Sequence, residues 1–238
     1  MKIISYTNPK SPIAEAYRSI RTNIEFSNID KNIKIITITS TQPNEGKSTV
    51  ISNLAAAFAN LENKRVLIID GDLRNPSVHK MFGVSNLNGI TDILLGEKDV
   101  DKCLEKTKIK GLDILKVGKV PPNPSEMLQS NKMRNFIEVI KEYYDYVFID
   151  APPVGVVADA SIISQYSDGV ILLVGSNETD IDAAKVSKER LENVGANILG
   201  VVLNKFESEG SAYGYYGYYY GNEEENKKEK RGLFRRKK

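Results

Sequence analysis

The sequence is poor in the residues that cross-link a chain or build a simple metal site. Its 238 residues include one cysteine, Cys103, and one histidine, His79. A single cysteine excludes an internal disulfide and is typical of a reducing compartment. A single histidine cannot form a metal site by itself, and we assign no role to His79.

Long apolar runs are also missing. No run approaches the roughly 18–20 residues needed to cross a bilayer, and the first ten residues contain no apolar signal core. Hydrophobic residues still make up 41% of the chain, which is ordinary for a globular protein with a substantial core. We therefore expect a cytoplasmic protein.

The net charge is small, at +2, and it is unevenly distributed. Residues 222–238 contain eight Lys or Arg and four Glu, a balance of +4, which leaves −2 for residues 1–221. A basic nucleic-acid-binding domain is therefore excluded for the body of the chain, because the positive charge is concentrated in the tail. We expect no nucleic-acid partner.

The sequence does contain a phosphate-binding pattern in Ile35–Thr49, which reads IITITSTQPNEGKST. Its β-branched start predicts a buried strand, its polar middle a loop, and the residues that follow a helix. Backbone amides at such a helix start attract anions, while Lys47 can contact terminal phosphates and Ser48 can bind Mg²⁺. Thr41 stands where the usual pattern has glycine, and a Gly-Lys-Ser turn without a nucleotide stays the alternative.

Acidic residues end two apolar strands further along the chain. Asp70 and Asp72 follow Val66–Ile69, and Asp150 ends the run Tyr146–Asp150. The carboxyl ends of parallel strands form the ligand-binding edge of an open α/β sheet, where carboxylates can hold hydrated Mg²⁺ or accept a substrate proton. The alternatives are a polar turn at residues 70–75 and, at residue 150, an aspartate that only closes its strand.

Helices predicted between the apolar strands favour a parallel sheet within a single domain, residues 1–206. Ser125 is predicted to cap a helix that runs to about Tyr144. The last predicted strand is Ile198–Asn204, which ends in a polar side chain as the earlier strands do.

Ser11 and Pro12 predict the start of an N-terminal helix that extends to about residue 29. Glu15, Arg18 and Arg21 are three positions apart and so stay near one face of this helix. Two interpretations are compatible with this spacing: a solvated face with a weak Glu15–Arg18 pair, and contact with a phosphate or a partner.

The composition changes at Glu207. Residues 210–221 contain four glycines and half of the chain's 12 tyrosines: Tyr213, Tyr215, Tyr216, Tyr218, Tyr219 and Tyr220. Glycine at this spacing prevents a regular apolar face, so we expect a flexible tail over residues 207–238. A sticky or nucleic-acid-stacking segment is the alternative. The basic end, residues 230–238, either contacts an anionic membrane weakly or is solvated.

Six segments carry a resemblance that covers essentially the whole sequence: EAYRSIR, STQPNEGKST, LIIDGDLRNP, VPPNPSEML (Val120–Leu128), YVFIDAPP and the tyrosine cluster. In this order they resemble the bacterial tyrosine kinases of capsule and exopolysaccharide synthesis, in the form in which the kinase is a separate cytoplasmic chain. Partition and septum-positioning ATPases share the nucleotide-site segments. Those ATPases have a signature lysine where this chain has Gln42, and the kinase family tolerates residues such as Thr41 in place of glycine.

The resemblance implies an α/β fold, the three-layer P-loop NTPase fold with a mainly parallel central sheet flanked by helices. It implies ATP and Mg²⁺ as cofactors. Asp70 would orient or deprotonate the tyrosine hydroxyl, and Asp72 and Asp150 would hold Mg²⁺ with Ser48, although the division between Asp70 and Asp72 is open. Lys47 would act on the phosphates. The implied nucleotide-binding residues are Thr41, Gln42, Pro43, Asn44, Glu45, Gly46, Lys47, Ser48, Thr49 and Asn204.

The same resemblance implies autophosphorylation of the tail tyrosines between subunits and regulation of polysaccharide synthesis and export. Glu15, Arg18 and Arg21 match the family's oligomerisation motif, which implies a ring-like homo-oligomer. The implied partners are a membrane-embedded activator of the polysaccharide co-polymerase type, an opposing tyrosine phosphatase and further protein tyrosine substrates. The activator would hold the chain at the inner face of the membrane. Two rival functions are an ATPase switch that phosphorylates no protein, and a scaffold whose nucleotide site only holds the fold together.

Overall fold

The computed structural model describes residues 3–28 and 31–206, in which helices alternate with strands along most of the chain. The strands are β1 (Ile35–Ser40), β2 (Val66–Asp70), β3 (Leu104–Lys106), β4 (Leu112–Leu115), β5 (Tyr146–Asp150), β6 (Gly169–Gly175) and β7 (Ile198–Asn204). The helices are α1 (Ile4–Thr7), α2 (Pro12–Ser27), α3 (Lys47–Ala59), α4 (Val78–Phe82), α5 (Ile90–Leu95), α6 (Val100–Cys103), α7 (Pro124–Gln129), α8 (Asn131–Ile140), α9 (Asp159–Ser164) and α10 (Ile181–Asn193). The predicted tyrosine cluster at 213–220 and basic end at 230–238 lie outside the described residues.

These strands form one sheet in the order β3-β4-β2-β5-β1-β6-β7. Every neighbouring pair is parallel except β3 and β4, which are antiparallel. The prediction of a mainly parallel sheet is therefore confirmed, and only the short edge strand β3 was not foreseen. Because β1 lies between β5 and β6, the phosphate loop that follows β1 is near the middle of the sheet edge.

Both faces of the sheet are covered, which makes the fold three-layered. Residues alternate between the faces: Ile36 and Ile38 of β1 lie in one core with Phe58 of α3. Ile35 of the same strand lies in the other core with Ile137 of α8 and further residues of α9. A strand that is buried on both sides favours apolar residues at successive positions, which explains the nearly uninterrupted apolar runs in the sequence.

Helix α2 occupies the region where the sequence predicts the N-terminal helix. Its start is capped as expected, because the Ser11 hydroxyl accepts a hydrogen bond from the Ala14 amide at 3.1 Å and Pro12 is the first helical residue. Within the described ranges, none of the helices is long and apolar enough to cross a membrane.

The prediction of one continuous helix from Ser125 to about Tyr144 is wrong. Two helices, α7 and α8, are present instead, and Ser130 lies between them with an extended backbone, ψ 150°. Its hydroxyl accepts a hydrogen bond from the Met133 amide at 3.2 Å and so caps α8. Asn123 is the residue before the first turn of α7, so Ser125 lies inside that helix, which leaves its hydroxyl free for a tertiary contact.

Candidate active site

The loop between β1 and α3 has the backbone shape expected of a phosphate-binding loop. Gly46 has φ +97° and immediately precedes Lys47, the first residue of α3. The backbone angle favours glycine here, and a Cβ added to Gly46 would lie 2.4 Å from Nδ2 of Asn204 and displace that side chain. Asn44 also has a positive φ, +65°, which tightens the loop before the helix begins.

The first turn of α3 is open to an anion. No side chain in the described part of the protein caps this turn, so its amides are available to a ligand. The helix is 13 residues long, and its dipole adds a partial positive charge at the same end. Lys47 and Ser48 are its first two residues, which places an ammonium group and a hydroxyl beside the open amides.

Glu45 shapes the loop from outside the cleft. Its side chain is buried, and one carboxylate oxygen accepts a hydrogen bond from the Gln42 amide at 3.1 Å. The other oxygen accepts a hydrogen bond from the Thr179 hydroxyl. Asn204 donates from Nδ2 to the carbonyl oxygen of Glu45 at 2.8 Å, which ties the end of β7 to the loop. Thr41, at the loop start, is buried as well.

A cleft of about 420 Å³ lies above this edge of the sheet. Residues from the phosphate loop and from the loops after β2 and β5 line it, as expected for an open α/β sheet. The site residues predicted from the sequence that line it are Pro43, Asn44, Gly46, Lys47, Ser48, Thr49 and Asp72. The lining residues that were not assigned to the site are Arg74, Asn75, Ser77, Pro152, Pro153, Val156 and Val157.

Two of the predicted acids are direct neighbours below the cleft. Asp70 of β2 is paired in register with Asp150 of β5, and neighbouring strands lie about 4.8 Å apart. Their side chains are 0% and 1% exposed. Burial and then repulsion by Asp150 raise the pKa of Asp70 well above its usual value. Burial also raises the pKa of Asp150, to about 6, although a hydrogen bond from Ser48 and the charge of Lys47 act against this rise.

The oxygen atoms at this point fit a magnesium ion. Ser48 donates its hydroxyl to Asp150 at 2.5 Å, and the Ser77 hydroxyl lies 2.5 Å from that of Ser48. Oδ1 of Asp70 and Oδ1 of Asp150 are buried and have no hydrogen-bond partner among the described residues. Buried, unpartnered carboxylate oxygens beside a hydroxyl are the hard ligands that Mg²⁺ and its bound water prefer.

Protein groups alone do not complete such a site. In the ranges that the structure describes, no group of three or more His, Cys, Asp or Glu side chains could hold a metal ion. A magnesium ion here would therefore take its remaining ligands from phosphate oxygens and water, as is usual where nucleotides bind.

Asp70 and Asp72 differ in what they can reach. Oδ2 of Asp70 accepts hydrogen bonds from the amides of Ser77 and Val78, both at 2.9 Å, and so orients the start of α4. Asp72 lines the cleft and is partly exposed, with Oδ1 accepting a hydrogen bond from the Asn75 amide at 2.9 Å. Burial raises the pKa of Asp72, against hydrogen bonds and the charge of Lys47.

The charged residues of α2 lie away from the cleft and are paired within the chain. Arg18 donates from Nε to Glu15 at 2.7 Å and from Nη1 to the Pro9 carbonyl at 2.6 Å. Arg21 donates to the carbonyl oxygen of Ala57 at 2.8 Å, near the end of α3. Neither arginine lines the nucleotide cleft.

Comparisons with known proteins identify the family. A family model described as an AAA domain matches residues 33–194. Tyrosine-protein kinase YwqD of Bacillus subtilis (strain 168) is 43% identical over 216 residues, which are 90% of this chain and 91% of the relative. The chain belongs to the bacterial tyrosine-protein kinase family. Tyrosine-protein kinase CpsD of Streptococcus pneumoniae is also similar, at 39% identity over 86% of this chain and 89% of the relative.

Solved structures agree with this membership. The chimerical protein CapA2B2 has a TM-score of 0.84 and 40% identity, and the match covers 87% of this chain and 90% of that one. The septum site-determining protein MinD of Pyrococcus horikoshii, solved with Mg-ADP, has a TM-score of 0.63 and 28% identity over 74% of this chain and 72% of that one. The predicted family and the predicted P-loop fold are therefore both confirmed.

Proposed function

We propose that this chain is an ATP-dependent protein tyrosine kinase that phosphorylates its own C-terminal tyrosines between subunits. Through this reaction it would regulate the synthesis and export of capsular or extracellular polysaccharide. The cleft carries the proposal, because Lys47 and Ser48 of the phosphate loop lie there beside two acidic strand ends. Membership of the tyrosine-protein kinase family supports tyrosine as the acceptor. The proposed acceptors are Tyr213, Tyr215, Tyr216, Tyr218, Tyr219 and Tyr220.

The nucleotide would bind with its phosphates against the loop. The open amides of α3 and the ammonium group of Lys47 would neutralise phosphate charge, which is most of what phosphoryl transfer requires from a protein. Ser48 and Asp150 would hold the magnesium ion. When bound, Mg²⁺ supplies further neutralisation of the charge that develops during transfer.

We assign the base by exposure. The family resemblance favours Asp70, but Asp70 is fully buried and engaged with two amides through one oxygen. Asp72 lines the cleft, so its carboxylate is better placed to orient and deprotonate a tyrosine hydroxyl. On this proposal Asp70 lies below the cleft, beside the Mg²⁺ ion and the water that its neighbour Asp150 would hold.

The proposed assembly brings acceptor and site together. The glycine-rich composition of the tail predicts a tether, which raises the effective concentration of tyrosine at a neighbouring site. Glu15, Arg18 and Arg21 would contribute to a ring of subunits. Each phosphate adds about −1.5 to −2 charges, so a phosphorylated cluster would repel its neighbours and loosen the ring. A membrane-embedded activator and an opposing phosphatase would set the balance between the two states.

Mixing two complementary variants tests transfer between subunits. One variant, Lys47→Met, keeps the tail tyrosines and loses the phosphate-binding ammonium group; the other has all six tail tyrosines replaced by phenylalanine and keeps the site. With ATP and Mg²⁺, we expect each variant alone to form little tail phosphotyrosine, at least about 100-fold less than wild type for Lys47→Met. In the mixture, phosphotyrosine should appear on the Lys47→Met chain, as measured by mass spectrometry of its tail.

Other outcomes separate the rival functions. Phosphotyrosine on the tail of wild type but none in the mixture would mean transfer within one chain. ATP hydrolysis without any phosphotyrosine, with and without a cytoplasmic segment of the activator, would favour a nucleotide switch like the septum-positioning ATPases. Circular dichroism of Lys47→Met serves as the folding control, and unfolding of this variant would point to a scaffold role for the nucleotide site.

A further inference from the structure

A buried carboxylate outside the predicted site holds one of the residues that line the cleft. The side chain of Asp159, the first residue of α9, is 0% exposed. Oδ2 accepts a hydrogen bond from Nε of Arg74 at 2.8 Å, and Oδ1 accepts one from Nη2 of Arg74 at 3.3 Å. Arg74 itself is 44% exposed and lines the cleft beside Asp72. The pair therefore connects the interior of the protein to the wall of the nucleotide site.

Ser125 completes this arrangement. Its hydroxyl donates to Oδ1 of Asp159 at 2.6 Å and accepts a hydrogen bond from Nη2 of Arg74 at 2.9 Å. Ser125 belongs to the segment Val120–Leu128, which contributes to the resemblance in the sequence but has no functional role assigned to it there. We call Arg74, Asp159 and Ser125 the arginine clamp.

The clamp holds the guanidinium group by one edge. Asp159 and Ser125 engage Nε and Nη2 of Arg74, and Nη1 donates no hydrogen bond to any residue that the structure describes. A planar guanidinium that is fixed along one edge keeps its remaining N–H groups in a set direction, which suits it to binding phosphate. Asp159 also depends on the clamp, because a buried carboxylate without a charged partner is strongly unfavourable.

We propose that Asp159, together with Ser125, is a positioning residue that fixes Arg74 at the wall of the cleft, where Arg74 binds the terminal phosphate of the nucleotide. Lys47 approaches from the phosphate loop and Arg74 from the loop after β2, so the two cations would hold the phosphates from two sides of the cleft. The inference rests on the proposed kinase function. On this proposal the buried Asp159 touches neither nucleotide nor tyrosine and acts only through Arg74.

The substitution Asp159→Asn in the full chain tests the positioning role. Asparagine has nearly the same shape and can still accept a hydrogen bond, but it removes the charge that fixes Arg74. We expect the dissociation constant of Mg²⁺-ATP and the rate of tail phosphorylation each to worsen about tenfold, because small misplacement of a binding group is costly. The dissociation constant of Mg²⁺-ADP, which lacks the terminal phosphate, should change by no more than about twofold. Calorimetric titration with the two nucleotides gives both dissociation constants and their ratio.

A double-mutant cycle separates positioning from simple support of the fold. In an Arg74→Lys background, Asp159→Asn should change the affinity for Mg²⁺-ATP by no more than about twofold, because the group that it positions is already altered. An equal loss in both backgrounds, or an equal loss of ATP and ADP binding, would overturn the proposal.

If Asp159→Asn fails to fold, Ser125→Ala makes the same test. We expect a smaller loss of affinity for Mg²⁺-ATP than for Asp159→Asn, again without an equal loss for Mg²⁺-ADP. An unchanged ratio of the two affinities would overturn the proposal. Tail phosphorylation by wild type tests the kinase function. The ratio of the dissociation constants of Mg²⁺-ATP and Mg²⁺-ADP tests the arginine clamp.

Discussion

The carboxyl edge of the sheet and the outer face of α2 both bring charged side chains close together, yet they hold those charges in opposite ways. At the sheet edge, Asp70 and Asp150 are buried neighbours and like charges, with raised pKa values. On α2, Glu15 and Arg18 are opposite charges that pair with each other at the surface, with side chains 28% and 34% exposed.

Exposure to water explains why the two groups of charges affect the stability of the fold differently. Water screens the α2 pair, so its formation stabilises the fold only slightly. The two buried aspartates have no such screening and lower the stability of the protein until a cation or a proton compensates them. A site built in this way is prepared for a metal ion, because binding relieves a repulsion that already exists.

The largest effect should come from Asp150→Asn, through the pH dependence of stability. The folded pKa of Asp150, about 6, is above its usual value of 3.8, so the folded protein binds more protons between these two values. Stability therefore falls as the pH rises through this window, and Asp150 should account for up to about 3 kcal/mol of that fall. Urea unfolding across this pH range, without nucleotide, should show a flatter profile for Asp150→Asn than for wild type.

Asp145→Asn provides a control, because Asp145 affects the pH dependence of stability in the opposite direction. Burial raises the pKa of Asp145, but hydrogen bonds from the Arg65 amide and from Lys64 outweigh this and lower it below the usual value. Asp145 therefore contributes stability at neutral pH that is lost as the pH falls through its lowered pKa, and its removal should reduce that loss. Identical pH profiles for wild type and Asp150→Asn would contradict the contrast between the two regions.

An intermediate effect is expected from Gly46→Ala, which perturbs the loop facing the buried acids. The added Cβ would displace Asn204 and strain a backbone with φ +97°, so we expect a loss of about 1–3 kcal/mol in unfolding free energy, together with weaker nucleotide binding. Thermal unfolding and ADP titration measure the two effects. Gly96→Ala is the matched control, since φ is +77° and its added Cβ meets nothing within 4 Å. Equal losses in both variants would show that the contact with Asn204 is unimportant.

The smallest effect is expected from Glu15→Ala on α2. Loss of this partly exposed pair should lower the unfolding free energy by less than about 1 kcal/mol. Lys185→Ala is a matched control, because Lys185 pairs with Asp182 three positions away on α10 at 2.9 Å. Urea unfolding compares the two. A change in oligomer size that occurs only with Glu15→Ala, measured by size-exclusion chromatography with light scattering, would support the proposed ring contact. A loss of several kcal/mol in the monomer would contradict the small contribution to stability that we assign to this pair.

Local patterns were sufficient for much of the fold. Buried strands leave uninterrupted apolar runs, and Ser11 with Pro12 marks a helix start, because both signals arise from residues close in sequence. The break between α7 and α8 was missed, since Ser130 follows an apolar pattern that also suits a continuous helix and only its cap on Met133 reveals the boundary.

The functional cleft was predictable in part for the same reason. Lys47, Ser48 and Asp72 belong to compact segments whose chemistry can be read locally. Arg74 lies two positions after Asp72, and its place in a polar loop after a strand was the available signal. Asp159 had no such signal, because its partner lies 85 residues away in the chain.

Local sequence patterns were sufficient to predict the phosphate loop, the acidic strand ends and the mainly parallel sheet, because propensity and periodicity act over a few residues. The folded structure was needed to show that Asp70 and Asp150 are neighbours, that Asn204 braces the loop at Glu45, and that Asp159 holds Arg74. Strand order and helix packing set those contacts, and they bring together groups that are 80 or more residues apart. Burial at such meeting points is what changes the chemistry of the side chains.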